Sequence, residues 1–118
     1  MARHNITGNL GEQMAADYFT EKGYRILHRN WRHSHWEIDI IADFKNILHF
    51  IEVKTRRTNT FGFPEDDVSK TKMKYLMTSA EEFLHQNPVW KMIQFDILSI
   101  TLHENYSADF YLIEDVSI

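Results

Sequence analysis

From about residue 7 to residue 22 the apolar side chains fall three and four places apart, with Leu10, Met14 and Tyr18 in one row and Ala15 and Phe19 in the next. That period predicts a helix with one buried stripe, and Gly23 stands where a left-handed C-terminal cap belongs. Residues 24–30 then read as a strand. Residues 36–42 and 47–55 read as two more, joined through Asp43, Phe44, Lys45 and Asn46 into a hairpin. Phe61-Gly62-Phe63-Pro64 interrupts the pattern, after which Val68, Met73, Leu76, Met77, Ala80, Phe83 and Leu84 mark the stripe of a second helix. Asp66, Asp67 or Ser69 can cap it, and Pro88 closes it. Residues 93–100 form a strongly strand-like run, and 110–113 a short last strand.

Helix, three strands, helix, two strands is the order of an α/β domain, a mixed sheet covered by helices. Which strands neighbour one another is not contained in that order. A chain of 118 residues with 43% apolar and 25% charged side chains has the size and balance of one folded domain spanning residues 1–118. Cysteine is absent, which excludes disulfides, thiolate metal sites and a cysteine nucleophile. The residues from Met1 to Asn5 lack the apolar run of a signal peptide, and no run is long enough to span a bilayer. The expectation is a cytoplasmic protein without a membrane partner.

The net charge of -4 argues against a protein that coats nucleic acid, but the charge is unevenly placed. Residues 1–53 hold 6 Lys/Arg against 7 Asp/Glu, residues 54–74 hold 6 against 3, and residues 75–118 hold 1 against 7. The middle stretch, with Lys54, Arg56, Arg57, Lys70, Lys72 and Lys74, is the place for a polyanion, so a nucleic-acid contact is expected to be local.

Candidate chemistry lies on the hairpin. Alternation puts Glu37, Asp39 and Ile41 on one face of their strand, opposite to Ile38, Ile40 and Ala42, while Leu48, Phe50, Glu52, Lys54 and Arg56 share a face of the next. A turn closing symmetrically about Phe44 and Lys45 sets Asp39 opposite Phe50 and Glu37 opposite Glu52. Asp39 and Glu52 are then diagonal neighbours roughly 7 Å apart at Cβ, a span that two carboxylates can close around one hard cation. Lys54, two residues past Glu52, projects from the same face, where it can polarise a water or steady an oxyanion. Acids on a strand more often just face solvent. Here neither face reads as solvated, because Ile41, Leu48 and Phe50 lie on one and Ile38, Ile40, Ile47, Ile51 and Val53 on the other.

The ordered set Gly11-Glu12, Gly23-Tyr24, Asn30, Glu37-Ile38-Asp39-Ile40-Ile41, Phe50-Ile51-Glu52-Val53-Lys54-Thr55-Arg56, Phe61-Gly62, Lys72, Ala80 and Phe95-Asp96 resembles the YraN-like family of small bacterial proteins. That family is similar in turn to archaeal Holliday junction resolvases and to the restriction-endonuclease-like PD-(D/E)xK superfamily. Two positions depart from its pattern: Trp36, where Gly is favoured before Glu37, and Gln94, where Arg is favoured before Phe95. The resemblance implies a restriction-endonuclease-like mixed sheet flanked by helices. It also implies Asp39 as the acid of the first motif, Glu52-Val53-Lys54 as the E-x-K element, and Glu12 as a further member of the metal shell. A homodimer acting on DNA, branched or damaged forms among it, follows from the same resemblance.

Glu12 shares a helical face with Ala15, Ala16 and Phe19, though a carboxylate in a first helical turn has its own electrostatic reason to be there. Lys72 and Arg56 are candidate phosphate contacts; Lys70 and Lys74 read as a solvated helix face. His28, His33 and His35, interleaved with Trp31, Trp36, Arg29 and Arg32, lack a third metal ligand in register and read as surface histidines. The expectation is a Mg²⁺- or Mn²⁺-dependent endonuclease with catalytic residues Asp39, Glu52 and Lys54. Its rival is a nucleic-acid-binding or adaptor module of the same fold without turnover.

Overall fold

The computed structural model describes residues 2–58 and 70–116. The expected break at Phe61-Gly62-Phe63-Pro64, the stripe residue Val68 and the capping candidates Asp66, Asp67 and Ser69 lie outside the described residues. The first helix, α1, spans Ala2–Glu21. Ala15, Ala16 and Phe19 form its buried side, with Met14 and Tyr18 packed at the edges, but Leu10 is 50% exposed and off the stripe. The row that faces the sheet at that level holds Gly11 instead, where a Cβ would run into the Thr55 side chain. Glycine brings the helix against the sheet backbone, and a row of small residues is invisible to a count of large apolar ones. Gly23 ends the helix as expected, with φ of 96° and the Tyr24 N–H returning to the Phe19 carbonyl at 3.0 Å.

Five strands follow in one sheet of order β1-β2-β3-β4-β5: β1 (Arg25–His33), β2 (Trp36–Phe44), β3 (Ile47–Arg57), β4 (Ile93–Leu102) and β5 (Ala108–Ile113). The second helix, α2 (Lys70–Gln86), lies between β3 and β4 in the chain, which lets those two run parallel while every other pair is antiparallel. The strands extend two or three residues beyond their expected ends, because hydrogen-bonded pairing continues where the apolar alternation has already faded. The result is the α/β fold of the sequence reading, a mixed sheet with helices packed on it, compatible with a restriction-endonuclease-like architecture.

Each helix covers its own cluster. Ala15, Phe19, Tyr24, Ile40, Ala42, Ile51, Leu98 and Ile100 pack under α1. Ile38, Ile41, Leu48, Phe50, Ile97 and the α2 residues Met73, Leu76, Ala80 and Phe83 form the other. Burying a side chain of this size stabilises the fold by about 1.5–3 kcal/mol. Met77, expected in the α2 stripe, is 38% exposed. Among the described residues, no helix is long and apolar enough to cross a membrane.

The β2–β3 hairpin corrects two expectations. Its two-residue turn is Lys45-Asn46, both with positive φ (55° and 66°), so Phe44 pairs with Ile47 and Ile41 with Phe50. Asp39 therefore does not stand opposite Phe50. The shift is even in residue count, so strand faces survive it. Alternation fails elsewhere: Ile38, expected beside Ile40 and Ala42, packs in the α2-side cluster with Ile41. The break falls at Asp39, where β2 parts from β3.

Candidate metal and phosphodiester site

The last β2–β3 pair is Ile40 with Ile51; from Glu52 onward β3 pairs with β4 alone. The Val53 N–H that the ladder would have used is taken by the Asp39 side chain, whose Oδ2 accepts it at 2.8 Å. A carboxylate thus stands in for the missing strand, and continuing the register brings Asp39 across from Glu52 rather than diagonal to it. Into this split α1 lowers Gly8 and Glu12, and α2 contributes Lys72. Together with Asp39, Glu52, Val53, Lys54 and Thr55 they line a cavity of about 340 Å³.

Three residues expected from strand alternation, Asp39, Glu52 and Lys54, are brought together, and Glu12 and Lys72 join them from the two helices. Glu12 lies in the middle of α1, not in its first turn, so the helix end does not account for it. Its Oε1 accepts a bond from Asn30 Nδ2 at 3.1 Å. Asn30 holds φ of 54°, a left-handed conformation that asparagine tolerates better than most residues. Glu37 is outside the lining and binds Arg32 at 3.3 Å. Arg56 is half-buried on β3, across from Thr101, also outside the lining.

Electrostatics set the two acids apart. Loss of water around Asp39 and the neighbouring Glu52 charge push its carboxyl up to about 8, against the pull of the Val53 N–H; Glu37 and Glu12 add to the rise. Glu52 is buried and accepts the Lys72 ammonium at 3.0 Å. Burial works against the Lys72 charge, but Glu52, Asp39 and Glu37 outweigh it and hold its pKa above the ordinary lysine value. Among the described residues, no three acidic or histidine side chains already converge as a ready metal site. What the cavity offers is a pair of carboxylates, Asp39 and Glu52, one of them paired with a lysine.

The model of the Uncharacterised protein family UPF0102 matches residues 11–100, which contain every charged residue of the cavity. The chain belongs to the UPF0102 family. A UPF0102 protein of Phocaeicola vulgatus is 43% identical over 100 residues, 85% of this chain and 83% of that protein. One of Flavobacterium psychrophilum is 41% identical over 85% of this chain and 84% of its own length. Another, of Caldicellulosiruptor saccharolyticus, is 38% identical over 92% and 93%. UPF0102 is thus the group that the motif resemblance pointed to.

Sequence reasoning missed two things about this UPF0102 chain. The Gly11–Thr55 contact that seats α1 has no apolar signal. The Lys72–Glu52 ion pair joins residues 20 positions apart on different elements. Asp96 is fully buried and accepts bonds from His49 Nδ1 at 2.6 Å, Gln94 Nε2 at 2.9 Å and the Asp115 N–H at 2.9 Å. That pair sits on the α1 side, away from the cavity lining, and its surroundings are those of a structural tie.

Proposed function

We propose that the cavity binds a divalent metal and hydrolyses phosphodiesters, with DNA as the substrate. The observation that carries this reading is the pair of adjacent carboxylates, Asp39 and Glu52, held at the parting of two strands with lysines at the rim. Their chemistry fits Mg²⁺ or Mn²⁺: hard oxygen donors suit a hard ion, and an Asp39 carboxyl raised by its neighbour's charge is relieved by a cation. Asp39 and Glu52 would hold the ion, and Glu12 would add a third oxygen on releasing Asn30. A bound divalent ion supplies charge neutralisation at the phosphoryl oxygens and lowers the pKa of its water. Lys54 donates a hydrogen bond to the attacking water or to the oxyanion that develops. Lys72 swings from Glu52 to a phosphate oxygen, exchanging one anionic partner for another.

One observation favours a second reading, a nucleic-acid-binding module without turnover. Lys72 already pairs with Glu52 and Asn30 holds Glu12, so two of the three cavity carboxylates have side-chain partners without metal.

Calorimetric titration with Mn²⁺ separates the two, alongside incubation of junction, flap, single-stranded and duplex DNA, and RNA, with Mg²⁺, Mn²⁺ or EDTA. Catalysis predicts saturable Mn²⁺ binding and cleavage that drops by about 10²-fold or more in Lys54→Ala while Mn²⁺ binding persists. Absence of Mn²⁺ binding, with equal nucleic-acid affinity in wild type and Asp39→Asn/Glu52→Gln, rejects the enzyme and leaves the module.

A further inference from the structure

Lys72 and Tyr75 are three residues apart on α2, so they project from one side of it about one 5.4 Å turn apart. Lys72 reaches Glu52 in the cavity, and Tyr75 follows it one turn on, outside the cavity lining. On β2, Trp36 is three residues ahead of Asp39, a span of roughly 10 Å. The two rings meet there, with centroids 6.2 Å apart and planes inclined by 34°. The arrangement is neither stacked nor edge-to-face; it is an open wedge. Tyr75 is 51% exposed, far more than a ring serving the core. The Trp36 indole N–H has no hydrogen-bond partner among the described residues, although it is shut off from solvent. A buried indole N–H ordinarily finds an acceptor.

We infer that the Trp36–Tyr75 wedge is a stacking platform for an unpaired nucleobase of the strand whose phosphate enters the cavity. The inference rests on the phosphodiester reading of that cavity and narrows it: the substrate carries a single-stranded segment beside the phosphate that is attacked. In continuous duplex both faces of each base are already stacked, so only an unpaired base has a face to offer. Lys72 gives its backbone a cationic approach. Past the rings the charge reverses. Trp36 itself lines a second hollow, with Glu81 and Glu82 beside His33 and His85, and those carboxylates turn phosphates away. The platform therefore serves one or two bases and does not continue as a duplex-length track.

If the rings only fasten the hairpin to α2, changing them lowers stability and weakens every nucleic acid alike. If they stack on a base, only substrates with unpaired bases lose affinity. The test is fluorescence anisotropy of the full chain with a blunt DNA duplex and the same duplex carrying a single-stranded tail. Each is run in EDTA and in Ca²⁺, which takes the same oxygen ligands. Wild type is expected to bind the tailed DNA about tenfold or more tightly, Tyr75→Phe to keep that preference and Tyr75→Leu to lose most of it. Trp36→Leu is expected to lose it as well, and urea midpoints establish that the leucine variants are folded. Equal binding of tailed and blunt DNA by wild type overturns the platform and leaves the phosphodiester reading standing. So does a preference that survives in both leucine variants. No binding of either DNA in either buffer overturns both.

Discussion

Asp96 and Asp39 are both carboxylates sunk into the sheet, and they differ in how many donors they meet. Asp96 has His49, Gln94 and the Asp115 N–H around it. Asp39 has the Val53 N–H and, beside that, the charge of Glu52. Removing a partner from the first leaves an uncompensated group in a dry place. His49→Ala is accordingly expected to lower stability by on the order of 3–5 kcal/mol in urea denaturation. Neutralising the second relieves a conflict. Asp39→Asn, with an amide oxygen still able to accept from Val53, is expected to stabilise the metal-free protein at pH 8 by roughly 1–3 kcal/mol while abolishing Mn²⁺ binding. A residue that costs stability yet is needed for a ligand is what a binding site predicts; an Asp39→Asn variant less stable than wild type at that pH argues against it.

At the scale of elements, the site depends on how closely α1 lies on β3. Gly11 permits that approach, and Glu12 follows it in sequence, so the helix that touches Thr55 also delivers a carboxylate to the cavity. Gly11→Ala adds a methyl group where Thr55 already stands, and such overpacking costs about 1–3 kcal/mol. The variant is also expected to bind Mn²⁺ more weakly, since α1 and Glu12 must move outward. Adding Thr55→Ala removes the nearest oxygen and recovers part of both losses. A double-mutant cycle by urea denaturation and calorimetry measures that coupling, and additive effects would show that the contact does not seat the helix.

For the whole molecule, the crowded acids become a dependence of stability on pH. Asp39 titrates near 3.8 when unfolded and near 8 in the metal-free fold, so between those values the folded chain holds a proton that the unfolded chain has released. The site's stabilising contribution is therefore fully present below about pH 4 and is lost as pH rises through 8. The difference between urea midpoints of wild type and Asp39→Asn, followed over that range, isolates the contribution; a difference that does not change with pH would contradict it. Mn²⁺, which needs the carboxylates unprotonated, is expected to displace about one proton on binding at pH 7, read from the change in calorimetric heat between buffers of different ionisation enthalpy. At a hundredfold excess over its dissociation constant it adds about 2.7 kcal/mol of stability.

Element types, the Gly23 cap, the hairpin and the sharing of a face by Glu52 and Lys54 were all legible in the sequence, because the chain's periods of 3.6 and 2 act locally. Even the wrong hairpin register kept its faces, since moving the turn by one residue shifts pairing by two. The tertiary structure alone decided what no local period encodes: the strand order, the parting of β2 from β3 at Asp39, and the meeting of Glu12 and Lys72 from opposite helices. The electrostatic strain of the site belongs to that second group, because desolvation and charge–charge repulsion depend on separation in space, which residues distant in sequence acquire only on folding.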